Sequence, residues 1–96
     1  MIEITDYDLI IGEIGIERRA QDQQWGGPAH DDAHVGTEWA DYIHKQNTLA
    51  SVQALNPEQF ESRMVKVAAL AIAAIESSRR KRSAERPDTP ETKKKA

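Results

Sequence analysis

Residues 60–78, FESRMVKVAALAIAAIESS, constrain this chain more than any other stretch. Between Met64 and Ile75 the only polar side chain is Lys66. A helix that is apolar on nearly every side has to be covered on nearly every side. The rest of the chain offers few large side chains for that task, with two Trp, two Tyr and one Phe in 96 residues. The sequence therefore predicts a helix packed partly against its own chain and partly against a second copy. The expected assembly is a homo-oligomer, and a dimer with a self-complementary interface is the simplest form.

Length and charge set the remaining bounds. Ninety-six residues allow one domain. With no cysteine there is no disulfide, thiolate metal site or cysteine nucleophile, which fits a cytoplasmic protein. The N-terminus is acidic and lacks the apolar segment of a secretory signal. The longest apolar run falls well short of the roughly 20 residues that cross a bilayer, so no membrane partner is expected. The net charge of −3 conceals an asymmetry: residues 1–78 hold five Lys/Arg against thirteen Asp/Glu, while residues 79–96 hold eight against three. An acidic body argues against a nucleic-acid platform, leaving only weak, non-specific contact through the basic tail.

Periodicity and capping signals predict an all-α fold of three helices. Thr5 with Asp8 makes a capping box for the first helix, which carries Ile10, Ile11 and Ile14 on one stripe and should end before Trp25. Residues 25–36, WGGPAHDDAHVG, read as a loop because two glycines and a proline interrupt any helix. The second helix begins near Thr37 and shows Trp39, Tyr42 and Ile43 on its apolar face. The third begins at Asn56 as cap, Pro57 as first helical residue and Gln59 as capping-box partner. The second and third helices should form an antiparallel hairpin. The domain is expected to span residues 1–82, with a disordered charged tail over residues 83–96.

Several clusters have the residue types for chemistry, and each also has a purely structural reading. His30, Asp31, Asp32 and His34 combine imidazoles and carboxylates that suit a divalent metal, or equally a polar loop closed by turn hydrogen bonds. Glu38 and Asp41, at helical i, i+3, share one face and suit a hard cation such as Mg²⁺, or simply a solvated face. The expected metal set is thus Asp31, Asp32, His34, Glu38 and Asp41. Arg18 and Arg19 suit phosphate or carboxylate, yet the arginines are better employed pairing with Asp22, or with Asp31 or Asp32 to lock the loop. Glu17 can pair with Gln21 in the same way. Trp25 and Trp39 flank the loop and either close the core or stack on a base. Lys66 either snorkels to the surface or meets an acidic residue. With Glu17, these arginines and tryptophans make up the expected ligand-binding set.

The pattern E-R-R-x-Q-D-x-x-W-G-G-P-x-H-D-D-x-H from Glu17 to His34, followed by M-V-K-V-A-A-L-A-I-A-A-I-E from Met64 to Glu76, resembles a group of small bacteriophage and prophage proteins. Some members of that group are similar to MazG-type nucleoside triphosphate pyrophosphohydrolases. The resemblance implies an α-helical oligomer in a host bacterial cytoplasm. For a MazG-type enzyme it also implies Mg²⁺ held by an E-x-x-E on one helix and an E-x-x-D on the next. This chain keeps at most Glu38 and Asp41 of those motifs, and the long apolar helix has no second set. Half a carboxylate clamp does not support the multi-metal chemistry.

The expected function is therefore that of a small phage-type accessory protein that acts by binding rather than turnover. Its partner would be a host protein, as in inhibition or anti-defence, or a sequestered nucleotide. The alternative is a divergent Mg²⁺-dependent nucleoside triphosphate pyrophosphohydrolase. In that case Glu17, Asp32, His34, Glu38 and Asp41 should converge on one cavity.

Overall fold

The computed structural model describes residues 3–52 and 54–85. Four α-helices follow one another: α1 (Asp6–Trp25), α2 (Gly27–Asp32), α3 (Gly36–Val52) and α4 (Pro57–Ala84). No strand occurs among the described residues. None of the described helices is long and apolar enough to cross a membrane.

The start of α1 is fixed by a reciprocal capping box. The Asp8 backbone N–H donates to the Thr5 hydroxyl at 3.2 Å, and the Thr5 backbone N–H donates to Asp8 Oδ2 at 3.0 Å. These bonds hold the Asp8 carboxyl below its usual range, the backbone bond from Thr5 contributing most. The helix ends at Gly26, whose φ of 109° places it in the left-handed region and turns its N–H back to the Asp22 carbonyl at 2.9 Å. Gly27, at φ 71°, adds a second left-handed step.

Two expectations need correction here. Among the described residues the helices number four rather than three, because Gly27–Asp32 is helical where a loop was expected. The two glycines do break the chain, but Pro28 then occupies the first turn of a new helix, where its fixed φ is an advantage and its missing N–H costs nothing. Trp25 is also the last residue of α1 rather than the first of a loop. At the other end α4 runs to Ala84 and is capped by Glu85. The expected tail therefore begins inside a helix at Ser83, and its remainder, residues 86–96, lies outside the described residues.

α4 is the hub. α1, α2 and α3 each pack on it, and α1 also touches α2, whereas α3 makes no comparable contact with α1 or α2 among the described residues. The start of α4 is held by Asn56, whose side-chain oxygen accepts from the Gln59 N–H at 3.0 Å. α3 and α4 form the expected antiparallel hairpin: Arg63 bonds Gln46 near the turn, while Lys81 bonds the His34 carbonyl at the open end. The core is small and built largely from small residues. Ile14, Trp39, Ala50, Ala69 and Ala73 are buried, and the alanines let helices approach α4 closely.

α1 crosses α4 rather than running along it. Glu17 reaches Lys66, and the adjacent Arg18 reaches Glu76, ten residues further along α4. The C-terminal half of α1 leans toward α3, since Gln21, Gln24 and Trp25 share a cleft with Lys45 and Gln46. The N-terminal half therefore projects past α4 on the opposite side. There Ile4, Tyr7, Leu9, Ile10 and Ile11 are all exposed. The outcome is a plate with principal extents of 51 × 42 × 20 Å.

Candidate functional site

A concavity lies where α1 and α3 face each other across α4. Its volume is about 420 Å³, within the roughly 300–1,000 Å³ range of small-molecule sites. Each wall follows from helical spacing. Glu17, Gln21 and Gln24 lie on one face of α1, Trp39, Tyr42 and Gln46 on one face of α3, and Arg63, Lys66, Leu70 and Ala73 on one face of α4. α2 contributes His30 and Asp31, and His34 follows it.

Five aromatic rings run through this cleft in series. Trp25 stacks on His30 with centroids 6.0 Å apart, His30 meets His34 edge-on at 4.6 Å, and His34 lies 5.3 Å from both Trp39 and Tyr42. Trp39 and Tyr42 are perpendicular at 6.3 Å. His34 is fixed at both nitrogens: Nδ1 is 2.9 Å from the His30 carbonyl, and Nε2 is 3.1 Å from the Tyr42 hydroxyl. A carbonyl only accepts, so Nδ1 carries a proton. In the neutral ring Nε2 then accepts from the Tyr42 O–H.

The charged lining is three cations, Lys45, Arg63 and Lys66, against two carboxylates, Glu17 and Asp31. Residues 1–78 contain only five Lys/Arg, so three of the five face one cleft in an otherwise acidic body. Lys66 is 3.4 Å from Glu17, and Arg63 donates to Gln46 at 2.9 Å.

Behind the cleft a second polar cluster ties α2 to α1 and α4. Arg18 lies 3.2 Å from Asp22, 3.1 Å from Glu76 and 3.8 Å from the buried Asp31. Asp32 accepts from Arg80 through both carboxylate oxygens and from the Ser77 hydroxyl at 2.8 Å. The Arg80 bonds, then Ser77, hold the Asp32 carboxyl below its usual range, and the same bonds push the Arg80 guanidinium up. The pairing of Arg18 with Asp22 and Asp31, and of Glu17 with Gln21, follows the structural reading of those residues.

The sequence-based site is thus divided. Of the ligand set, Glu17, Trp25 and Trp39 line the cleft. Arg18 is turned into the ion-pair cluster, and Arg19 is exposed on α1. The metal set is dispersed. His34 and Asp31 line the cleft, but Asp32 faces Arg80, Glu38 accepts from the Val35 N–H at the start of α3, and Asp41 is exposed. Among the described residues no three His, Asp or Glu side chains gather as metal ligands. Of Glu17, Asp32, His34, Glu38 and Asp41, which a pyrophosphohydrolase site would bring together, Glu17 and His34 line the cleft, while local capping and ion pairing hold Glu38 and Asp32 elsewhere.

Sequence reasoning missed Lys45 and Arg63 as site residues and left Tyr42 as core. Their signal was phase: Tyr42 and Lys45 follow Trp39 at i+3 and i+6, and Arg63 precedes Lys66 by three. Compared with protein-family models, characterised proteins and solved structures, the chain matches none. The likeness to phage proteins therefore stands on the quoted residues alone.

Proposed function

We propose that this chain is a small accessory protein of phage type that works as a homo-oligomer by binding. Its cleft would take an anionic ligand bearing an aromatic ring, of the nucleotide class, and hold it without turnover. The observation that carries this reading is the meeting of five rings with three cations in one cleft of an acidic body. A base has a π-face for Trp25 or Tyr42. Phosphate oxygens accept from Lys45, Arg63 and Lys66, the arginine through its planar fork. The body's overall negative charge repels anions elsewhere, so the cationic wall also selects the place of binding. Binding without turnover fits the dispersal of the carboxylates that metal-assisted hydrolysis needs.

The test is a titration of the full chain with nucleoside mono-, di- and triphosphates, with and without Mg²⁺, followed by tryptophan fluorescence and by phosphate or pyrophosphate release. The reading expects a saturable change in emission with no release. It also expects Trp25→Phe to weaken binding while the chain stays helical. Release of pyrophosphate would make the protein an enzyme, and no saturable response to any nucleotide would end the proposal.

A further inference from the structure

α4 presents three stripes, each collecting residues that helical periodicity brings to one face. Lys66, Ala69, Ala73, Ser77 and Arg80 form the first, which meets α1 and α2. Arg63, Leu70, Ala74 and Lys81 belong to the second, which meets α3. The third is Val65, Ala68, Ile72, Ile75, Arg79 and Arg82; Ile75, Arg79 and Arg82 on it border an open groove whose other wall includes Gly36 and Trp39 of α3. Ile72 and Ile75 on this stripe are 38% and 51% exposed. The same molecule carries a second open surface. On the projecting half of α1 and just beyond it, Ile4, Tyr7, Leu9, Ile10, Ile11 and Ile16 are 48% to 73% exposed.

The geometry points to a two-fold dimer in which the projecting half of α1 from each protomer lies across the third stripe of the partner's α4. Three features fit this occupant. The area suffices: Ile4, Tyr7, Ile10 and Ile11, which share one face of the arm, leave on the order of 400 Å² of apolar surface open, and with the α4 stripe each partner gives roughly 600 Å², the lower end of the range for a specific interface. The shapes are complementary, since α1 supplies protruding isoleucines and α4 supplies alanine with Ile72 and Ile75 beside it. The charges also match. α1 carries Asp6, Asp8 and Glu13, whereas the α4 stripe ends in Arg79 and Arg82. Because the arm and its seat are on one chain, each contact occurs twice, which closes the pair. The inference specifies the surface of the homo-oligomer named above and does not depend on what the cleft binds.

Sedimentation of the full chain should give twice the 10.8 kDa protomer mass. Ile11→Glu and Ile72→Glu should each raise the dissociation constant by about tenfold or more, because each sets a charge in the centre of the contact. The chain has no cysteine, so Ile11→Cys protein mixed with Ile72→Cys protein reports the geometry directly, even if a glutamate variant fails to fold. A mixed disulfide between α1 of one chain and α4 of the other is expected. A monomer at all concentrations overturns the proposal, as does a dimer that forms only α4-to-α4 disulfides or tolerates both glutamates.

Discussion

The ammonium of Lys66 meets the carboxylate of Glu17 at 3.4 Å, across 49 positions of sequence, and both line the cleft. Lys66 is the one charged residue in the apolar stretch of α4, and this pair is how a lysine is accommodated there. Both side chains remain partly open to solvent, so their attraction contributes little more than about 1 kcal/mol to stability. Lys66→Met should therefore leave the urea midpoint nearly unchanged. The same variant should weaken nucleotide binding by about tenfold, since a charge-assisted bond to phosphate is worth about 1.5–3 kcal/mol. An affinity equal to that of the native chain would show that Lys66 serves only the helix contact.

Asp32 and Arg80 give a pH dependence with a definite sign. The Asp32 carboxyl is held down in the folded protein, so its contribution to stability is fully present above the pKa of an unfolded aspartate, roughly 4. It is lost as pH falls through the lower folded value. The native chain should lose stability on acidification below about pH 4. Arg80→Gln should start less stable at pH 7 and lose less over the same interval. Urea midpoints of the two proteins at pH 7 and pH 3 measure the difference.

Gly26 holds a φ of 109° between α1 and α2. A side chain there meets His30 Cβ at 3.5 Å, an ordinary contact, so the cost of Gly26→Ala is conformational rather than steric crowding. A non-glycine residue in the left-handed region costs about 1–2 kcal/mol. Thermal unfolding should show that loss. Gly36→Ala, with open space around the added Cβ and no positive φ, should not.

Ala69 is fully buried on the stripe of α4 that α1 crosses. Ala69→Leu adds three carbons where two backbones approach closely, and overpacking of this kind costs about 1–3 kcal/mol. Calorimetry should find the midpoint lowered.

Much of the fold was legible because its signals are local. Thr5 with Asp8, Asn56 with Pro57, Arg18 with Asp22 and Glu17 with Gln21 all act within one helical turn, where spacing alone decides who meets whom. α2 was hidden because Gly26 and Gly27 announce a break, while Pro28 restarts a helix only if the chain beyond it packs on α4. The cleft was only half legible for a different reason. Lys45 and Arg63 belong to opposite arms of a hairpin, and their approach depends on the register that Gln46 and Arg63 share. The candidate metal residues are dispersed by competition: Asp32 meets Arg80, which lies beyond the span the sequence reading connected to it, and Glu38 accepts from the Val35 N–H.

The hub position of α4 has a consequence for how the chain comes to be folded. On a ribosome the N-terminal helices emerge before their common support does. Until residues 57–84 follow, α1 has only the six-residue α2 beside it, and α3 has no helix to lean on. Most helical stability in proteins comes from tertiary packing of one face rather than from propensity. Residues ahead of α4 should thus remain unstructured until α4 has been made, and folding should then come as one event. α1 then closes a loop of about fifty residues, a slow step compared with zipping the α3/α4 hairpin. A nascent chain arrested before α4 should be digested by protease along its whole length, whereas release of the last helix should confer resistance at once.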